Sequence, residues 1–278
     1  MSNSKRDRQR TRGGGHGPSA RHRRVPPGRR GPQGTGSLWL FGSHAVAAAL
    51  ANPARKVRRV LVAGDPAEEG EAVAPPSIEG RGVAVEKVSR HELEALLPEG
   101  AVHQGIAAEV VPLPDTPIED LCASAANSER AAIVVLDKVT DPRNVGAVLR
   151  SAAAFGACGL VMPERGAPPE SGTLAKAASG ALERVPIVRA VNLKRAMETM
   201  KTRGIWCVGF AADAATPLTD GPLPGRVALV LGAEGTGLRR LTRESCDLLV
   251  GIPIASDIDS LNVSAAAAVA LYEWARQA

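Results

Sequence analysis

From Ala131 onward, short continuous apolar runs alternate with stretches of helical periodicity, and this alternation is what most restricts the fold. The runs cover 131–136, 159–162, 187–189, 205–210, 227–231 and 248–252. A strand that is apolar at every position, and not only at every second one, needs cover on both faces. That is the situation of a mostly parallel sheet flanked by helices, an α/β fold. Residues 261–277 read as a further helix. Aromatic residues make up only 3% of the chain, so the core must be built from Ala, Val, Leu and Ile. The same scarcity argues against RNA binding through aromatic stacking platforms.

Upstream, residues 38–112 read as a small α/β unit. A helix is expected over 43–51, capped by Ser43 and closed by Asn52-Pro53. Strands are expected at 57–63, 83–88 and 105–111, with a helix at 91–97. Three prolines between Pro112 and Pro117 mark an extended connection, and 113–130 is assigned as linker to a main domain at 131–278. Residues 1–37 form a basic tail. Its first 34 residues hold ten Lys/Arg against one acid, Asp7, a balance of +9, whereas the rest of the chain carries 24 bases and 28 acids. With seven Gly, four Pro and almost no apolar residue, residues 1–34 are expected to be disordered and to attract phosphates without reading sequence.

No apolar stretch approaches the roughly 18 residues of a membrane span. The charged N-terminus has no apolar segment behind it, so no secretory signal is read and a cytoplasmic location is expected. Cys122, Cys158, Cys207 and Cys246 lie far apart without metal-ligand spacing. They read as buried free thiols, with neither disulfide framework nor metal site. The phosphate-binding loop, the dinucleotide fingerprint after the first strand of the main domain and the hydrolase elbow are all missing.

Three segments remain at strand ends, where open α/β sheets bind ligands. In the first, Asp141 can cap a helix with Pro142 as its first residue. Val145, Val148, Leu149 and Ala152 then share one face, with Arg143 and Arg150 on the opposite one. Alone, this is an amphipathic helix with two solvated arginines. The second is Gly232-Ala-Glu234-Gly235-Thr-Gly237-Leu238, where glycines let the backbone turn sharply and approach a ligand. Alone, it is a Gly-rich turn with an exposed acid. The third is Ile252-Pro-Ile254 followed by Asp259-Ser260-Leu261-Asn262-Val263-Ser264, which introduces the Ala-rich helix.

In this order the three segments resemble the motifs of the SpoU (TrmH-like) family of RNA ribose 2′-O-methyltransferases. Asn144, Gly146 and Arg150 match its N-x-G-x-x-x-R, the Gly232–Leu238 segment its G-x-E-G-x-G-L, and Ser260–Ser264 its S-L-N-V-S. Upstream, Gly42-Ser-His-Ala-Val-Ala-Ala-Ala-Leu50 and His103-Gln-Gly-Ile106 look like the RNA-binding domain of the subfamily that methylates guanosine in 23S rRNA, a domain resembling ribosomal protein L30e. The basic tail is extra, and Ile254 stands where methionine is common.

The resemblance implies a trefoil-knotted SPOUT methyltransferase domain behind a small L30e-like domain, working as a homodimer on RNA with S-adenosylmethionine as cofactor. It implies Arg150, Asn144, Glu234, Ser260 and Asn262 as catalytic residues. Backbone contacts to the cofactor are implied at Gly232, Ile252 and Leu261. Gly237, in the same turn, is also expected to be cofactor-binding, and valine there is expected to clash. Arginine is a poor base at its usual pKa above about 12, so positioning and charge stabilisation is the safer role for Arg150. A tRNA or another rRNA ribose is the rival substrate. An RNA-binding factor without catalysis is the rival class, against which the intact Asn144, Arg150, Glu234 and Asn262 argue.

Overall fold

The computed structural model describes residues 36–64, 82–221, 223, 225–255 and 260–277. The basic tail expected at 1–34 lies outside them, as does Asp259 just before the third motif. The six apolar runs, with the short strand Thr216–Pro217 added at one edge, form one seven-stranded sheet in which every pairing is parallel.

The smaller sheet comes first. It consists of β1 (Leu38–Phe41), β2 (Val57–Ala63), β3 (Ala84–Val88) and β4 (Ile106–Val110), in the order β1-β4-β2-β3. Helices α1 (Ser43–Ala51) and α2 (Arg90–Leu96) accompany it. Strand β1 was not expected from sequence. Four residues carry no periodicity of their own, and β1 exists because it pairs antiparallel with β4. Ser43 is not a cap but the first helical residue. The chain enters α1 through Gly42 at φ 89, a backbone state suited to glycine, and no side chain caps the helix. The Ser43 hydroxyl instead donates to Gln104 Oε1 at 3.2 Å.

Helix α3 (Ile118–Ala126) lies within the stretch assigned as linker. Leu121, Cys122 and Ala125 are buried at helical spacing, and Glu119 and Asp120 occupy its first turn. The prolines ahead of it stop at its N-cap, Pro117.

The large sheet contains β5 (Ala131–Asp137), β6 (Gly159–Pro163), β7 (Ile187–Ala190), β8 (Trp206–Phe210), β9 (Thr216–Pro217), β10 (Arg226–Gly232) and β11 (Leu248–Gly251), ordered β7-β6-β5-β10-β8-β11-β9. All seven residues of β5 are buried. Ala132, Val134 and Leu136 face one core and Ala131, Ile133 and Val135 the other, the period of two expected of a strand. Helices α4 (Pro142–Ala154), α5 (Gly172–Ala178) and α8 (Val263–Arg276) contribute to the first core, α3 and α6 (Leu193–Thr202) to the second. The short α7 (Arg240–Glu244) precedes β11. No helix among the described residues is long and apolar enough to cross a membrane.

Helix α4 has the cap read from sequence. Asp141 accepts from Arg143 N at 2.8 Å and Pro142 opens the helix. Gly146 explains how α4 and α5 pack so closely. A Cβ there would lie 2.5 Å from Leu174 O and 2.6 Å from Ala177 Cβ, where backbone cannot give. Gly146→Ala gains up to about 1 kcal/mol of helix propensity and loses about 1–3 kcal/mol to overpacking. Net destabilisation is therefore expected, lowering the thermal midpoint by several degrees; an unchanged midpoint would mean that α5 can shift.

Of the cysteines, Cys122 and Cys207 are buried and Cys158 and Cys246 half-buried, all as free thiols. Burial pushes Cys158 up to about 11 and Cys207 and Cys246 up to about 12, so these thiols stay protonated and unreactive at neutral pH.

Candidate active site

The C-terminal ends of β5, β10 and β11 open on the same side of the sheet, because parallel strands deliver their ends together. Each motif segment leaves from, or lies just beyond, one of these ends. The first turn of α4 carries Asn144, the loop after β10 carries Glu234, and Asn262 is the N-cap of α8.

These three side chains form one cluster centred on a single carboxylate oxygen. Glu234 Oε1 accepts from Asn144 Nδ2 at 3.0 Å, from Asn262 Nδ2 at 2.5 Å and from Val263 N at 3.4 Å. Asn262 Nδ2 also donates to Asn144 Oδ1 at 3.1 Å. The Asn262 Oδ1 accepts from Ser264 N at 2.9 Å and Ser264 Oγ at 2.6 Å, which fixes the amide orientation. A carboxylate at the N-terminus of α8 is placed where the helix dipole favours negative charge. Glu234 thus ties together three segments far apart in sequence.

The Gly-rich loop folds back on its own start. Gly237 N donates to Ala233 O at 2.9 Å, with Gly235 and Gly237 at φ 73 and 63. A Cβ on Gly232 would collide with the backbone of Gly237 and Leu238. A Cβ on Gly237 would meet nothing within 4 Å, so the expected clash at Gly237 is corrected. The cost of a side chain there is backbone strain at positive φ, and the steric clash belongs to Gly232.

Beside the cluster lies a cavity of about 430 Å³. Its walls include Gly232, Gly237, Ile252 and Leu261, together with Glu234 and Ser260. Phe210, Leu238, Val263 and Ala266 add apolar surface, and Ile254 stands exposed at its edge. A larger cavity, about 610 Å³, is lined by residues of the 52–54, 112–116, 164–174 and 182–189 segments and by none of the motif residues.

Arg150 is not brought to the cluster. It is exposed, six residues beyond Asn144 along α4, and has no hydrogen-bond or ion-pair partner among the described residues. Six residues of α-helix turn the side chain well away from Asn144 and carry it roughly 9 Å along the axis.

Sequence reasoning assigned no role to Asp137 and Arg239. Asp137 closes β5 fully buried, and its Oδ2 accepts from Arg239 N at 3.0 Å while Oδ1 accepts from Arg239 Nε at 2.6 Å. The pair pins the end of the Gly-rich loop to the strand beside it. The signal was available: an acid ending a seven-residue apolar strand needs a partner when buried. Among the described residues no group of His, Cys, Asp and Glu could hold a metal ion.

The family model for RNA 2'-O ribose methyltransferase substrate binding matches residues 39–116. The 23S rRNA (guanosine-2'-O-)-methyltransferase RlmB of Vibrio cholerae is 42% identical over 241 residues, covering 86% of this chain and 96% of the relative. RlmB of Escherichia coli K12 is 40% identical over 243 residues, covering 87% and 99%. The crystal structure of the SpoU methyltransferase AviRb from Streptomyces viridochromogenes, in complex with the cofactor AdoMet, matches with a TM-score of 0.71. It is 26% identical and covers 87% of this chain and 90% of that one. The model described as the SpoU rRNA Methylase family matches residues 131–272, a span holding all three segments that meet at Glu234. By this match and its likeness to full-length relatives, the chain belongs to the SpoU rRNA methylase family.

Proposed function

We propose that this chain transfers a methyl group from S-adenosylmethionine to the ribose 2′-oxygen of a guanosine in 23S rRNA. The observation that carries this reading is the junction of Asn144, Glu234 and Asn262 beside the cavity bounded by Gly232, Gly237, Ile252 and Leu261. The donor set suits the cofactor. Apolar side chains of Ile252, Leu261 and Val263 offer a wall for a purine, and at Gly232 only backbone fits, as close approach requires. Backbone groups of Gly232, Ile252 and Leu261 would hold the cofactor, which when bound supplies a methyl group already activated on a sulfonium.

The chain's own task is alignment and charge stabilisation. Glu234 holds the α4, β10 and α8 segments in register, and Ser260 at the cavity edge is placed to receive the ribose. The Arg150 guanidinium donates to the 2′-oxygen, favouring the negative charge that develops as the hydroxyl proton leaves to water. Because Arg150 points away from its own cluster, it serves the site of a second copy, so the working form is a homodimer. Exposed Val269 and Tyr272 on α8, with Phe155 edge-to-face on Tyr272 at 6.1 Å, support a partner covering this face. Strand β10 between β5 and β8, with Gly232, Ile252 and Leu261 around one cavity, supports the trefoil knot of the domain. The L30e-like unit at 38–112 takes the RNA, and free thiols together with an rRNA substrate fit the cytoplasm.

Mapping 2′-O-methyl groups in rRNA and tRNA from a deletion strain tests the reading. Loss of one guanosine methyl in 23S rRNA is expected; loss from tRNA alone would overturn the substrate. Deleting residues 1–34, which carry +9, is expected to weaken RNA binding and flatten its salt dependence while leaving the methylated nucleotide unchanged. Binding at several salt concentrations with methyl mapping on the same RNA checks this. A moved site with an unchanged salt slope would contradict it.

A further inference from the structure

A fully buried arginine is rare unless it is paired, and among the described residues one lies outside the Glu234 cluster and the cavity beside it. Arg55, in the turn between α1 and β2, is 1% exposed. Its guanidinium is shared among three segments. Nε donates to Glu183 Oε1 at 3.0 Å and Oε2 at 3.1 Å, and Nη2 to Glu183 Oε1 at 2.6 Å. Nη1 donates to Glu170 Oε1 at 2.6 Å and to Val111 O at 2.9 Å. Asn52 Nδ2 adds a bond to Glu183 Oε2 at 2.8 Å, and Leu113 N donates to Glu170 Oε2 at 3.2 Å. Arg55, Asn52 and Val111 belong to the small domain, Leu113 to the connecting segment, and Glu170 and Glu183 to the large domain.

The seam has a second anchor. Lys176 Nζ on α5 donates to Gln104 Oε1 at 2.5 Å, and Gly172 lies so close beneath β1 that a Cβ would collide with Trp39 O and Phe41. Two anchors prevent rotation about either one. The small domain is therefore held at one angle to the cavity.

We propose that Arg55, with Glu170 and Glu183, is the positioning device that selects the methylated ribose, by fixing the angle at which the small domain presents RNA to the large one. The proposal rests on the small domain binding RNA. A network of this kind is a weak source of stability, because burying its charges costs much of what their attraction returns. Burial pushes the Glu170 carboxyl above its usual range even with Arg55 beside it. What the network supplies that an apolar contact lacks is direction, since the planar fork donates to its carboxylates in one geometry only.

The test uses the full chain carrying Arg55→Met, Glu170→Leu and Glu183→Leu together, which keeps the seam buried but removes its directional bonds. Arg55→Lys serves as the milder variant, keeping the charge and losing the fork. Thermal midpoint, S-adenosylmethionine affinity, kcat and KM for 23S rRNA, and the mapped methyl positions are measured. The apolar triple variant is expected to stay folded and bind cofactor normally. Its KM for RNA should rise about tenfold with kcat little changed, because misplacement acts on presentation of the substrate. Methylation should spread to neighbouring riboses, with Arg55→Lys intermediate. If the triple variant fails to fold, Arg55→Lys decides on the same readouts. A folded variant that methylates the same single ribose with wild-type KM would overturn the proposal. Absence of rRNA methylation by the wild-type chain would instead overturn the functional reading beneath it.

Discussion

Replacing Arg150 with alanine is expected to lower single-turnover methyl transfer by about 10²–10³-fold, the loss typical of removing one donor to a developing oxyanion. Stability and cofactor affinity should hardly change. Arg150 is exposed, touches no partner among the described residues and lies opposite the buried stripe of Val145, Val148, Leu149 and Ala152. Its truncation should therefore cost within about 0.5 kcal/mol. Near-wild-type turnover would reduce Arg150 to a solvated helix residue. A mixing experiment separates action within a chain from action across a dimer. Arg150→Ala subunits combined with subunits disabled at Gly232 should recover activity, since a mixed pair has one site with both intact parts. Random pairing makes half the dimers mixed, so about a quarter of wild-type activity should return. No recovery would place Arg150 in its own chain's site.

Gly232→Ala is expected to abolish measurable cofactor binding, a loss of more than about 100-fold, or roughly 3 kcal/mol. The added Cβ would collide with backbone atoms of Gly237 and Leu238, so the Gly-rich loop could not close. Gly237→Ala provides the contrast. With φ at 63 and open space around its Cβ, alanine there pays only left-handed strain of about 1–2 kcal/mol, or about 5–30-fold in affinity. Calorimetry on both variants, each confirmed folded, reads the difference directly. Equal losses, or wild-type binding by Gly232→Ala, would mean the loop does not form the cofactor wall.

Much of this molecule was legible residue by residue. The six apolar runs became strands within a residue or two, because an unbroken apolar stretch has few other uses in a chain of this composition. Asp141-Pro142 started α4 for purely local reasons, a side-chain cap and a preset φ. The three motif segments were recognisable because each is short and its residues keep fixed spacing. Local pattern failed where the determinant was remote. Strand β1 depends on β4, some seventy residues away, and the entry to α1 depends on Gly42 and Gln104. Helix α3 was masked by the prolines before it, although its own apolar spacing was sound.

The sequence by itself determined the elements of the large sheet, the apolar face of α4 and the identity of the motif residues, since these depend on periodicity and residue type within a short window. Only the tertiary structure decided that Asn144, Asn262 and Val263 share one oxygen of Glu234, that the close contact in the Gly-rich loop is at Gly232, and that Arg150 stands apart from them. It also decided that Asp137 is paired with Arg239 and that Arg55 is locked between Glu170 and Glu183. The physical reason is common to all of these. A buried charge or a missing Cβ acquires its role from the atoms packed against it, and those atoms come from parts of the chain that only folding brings together.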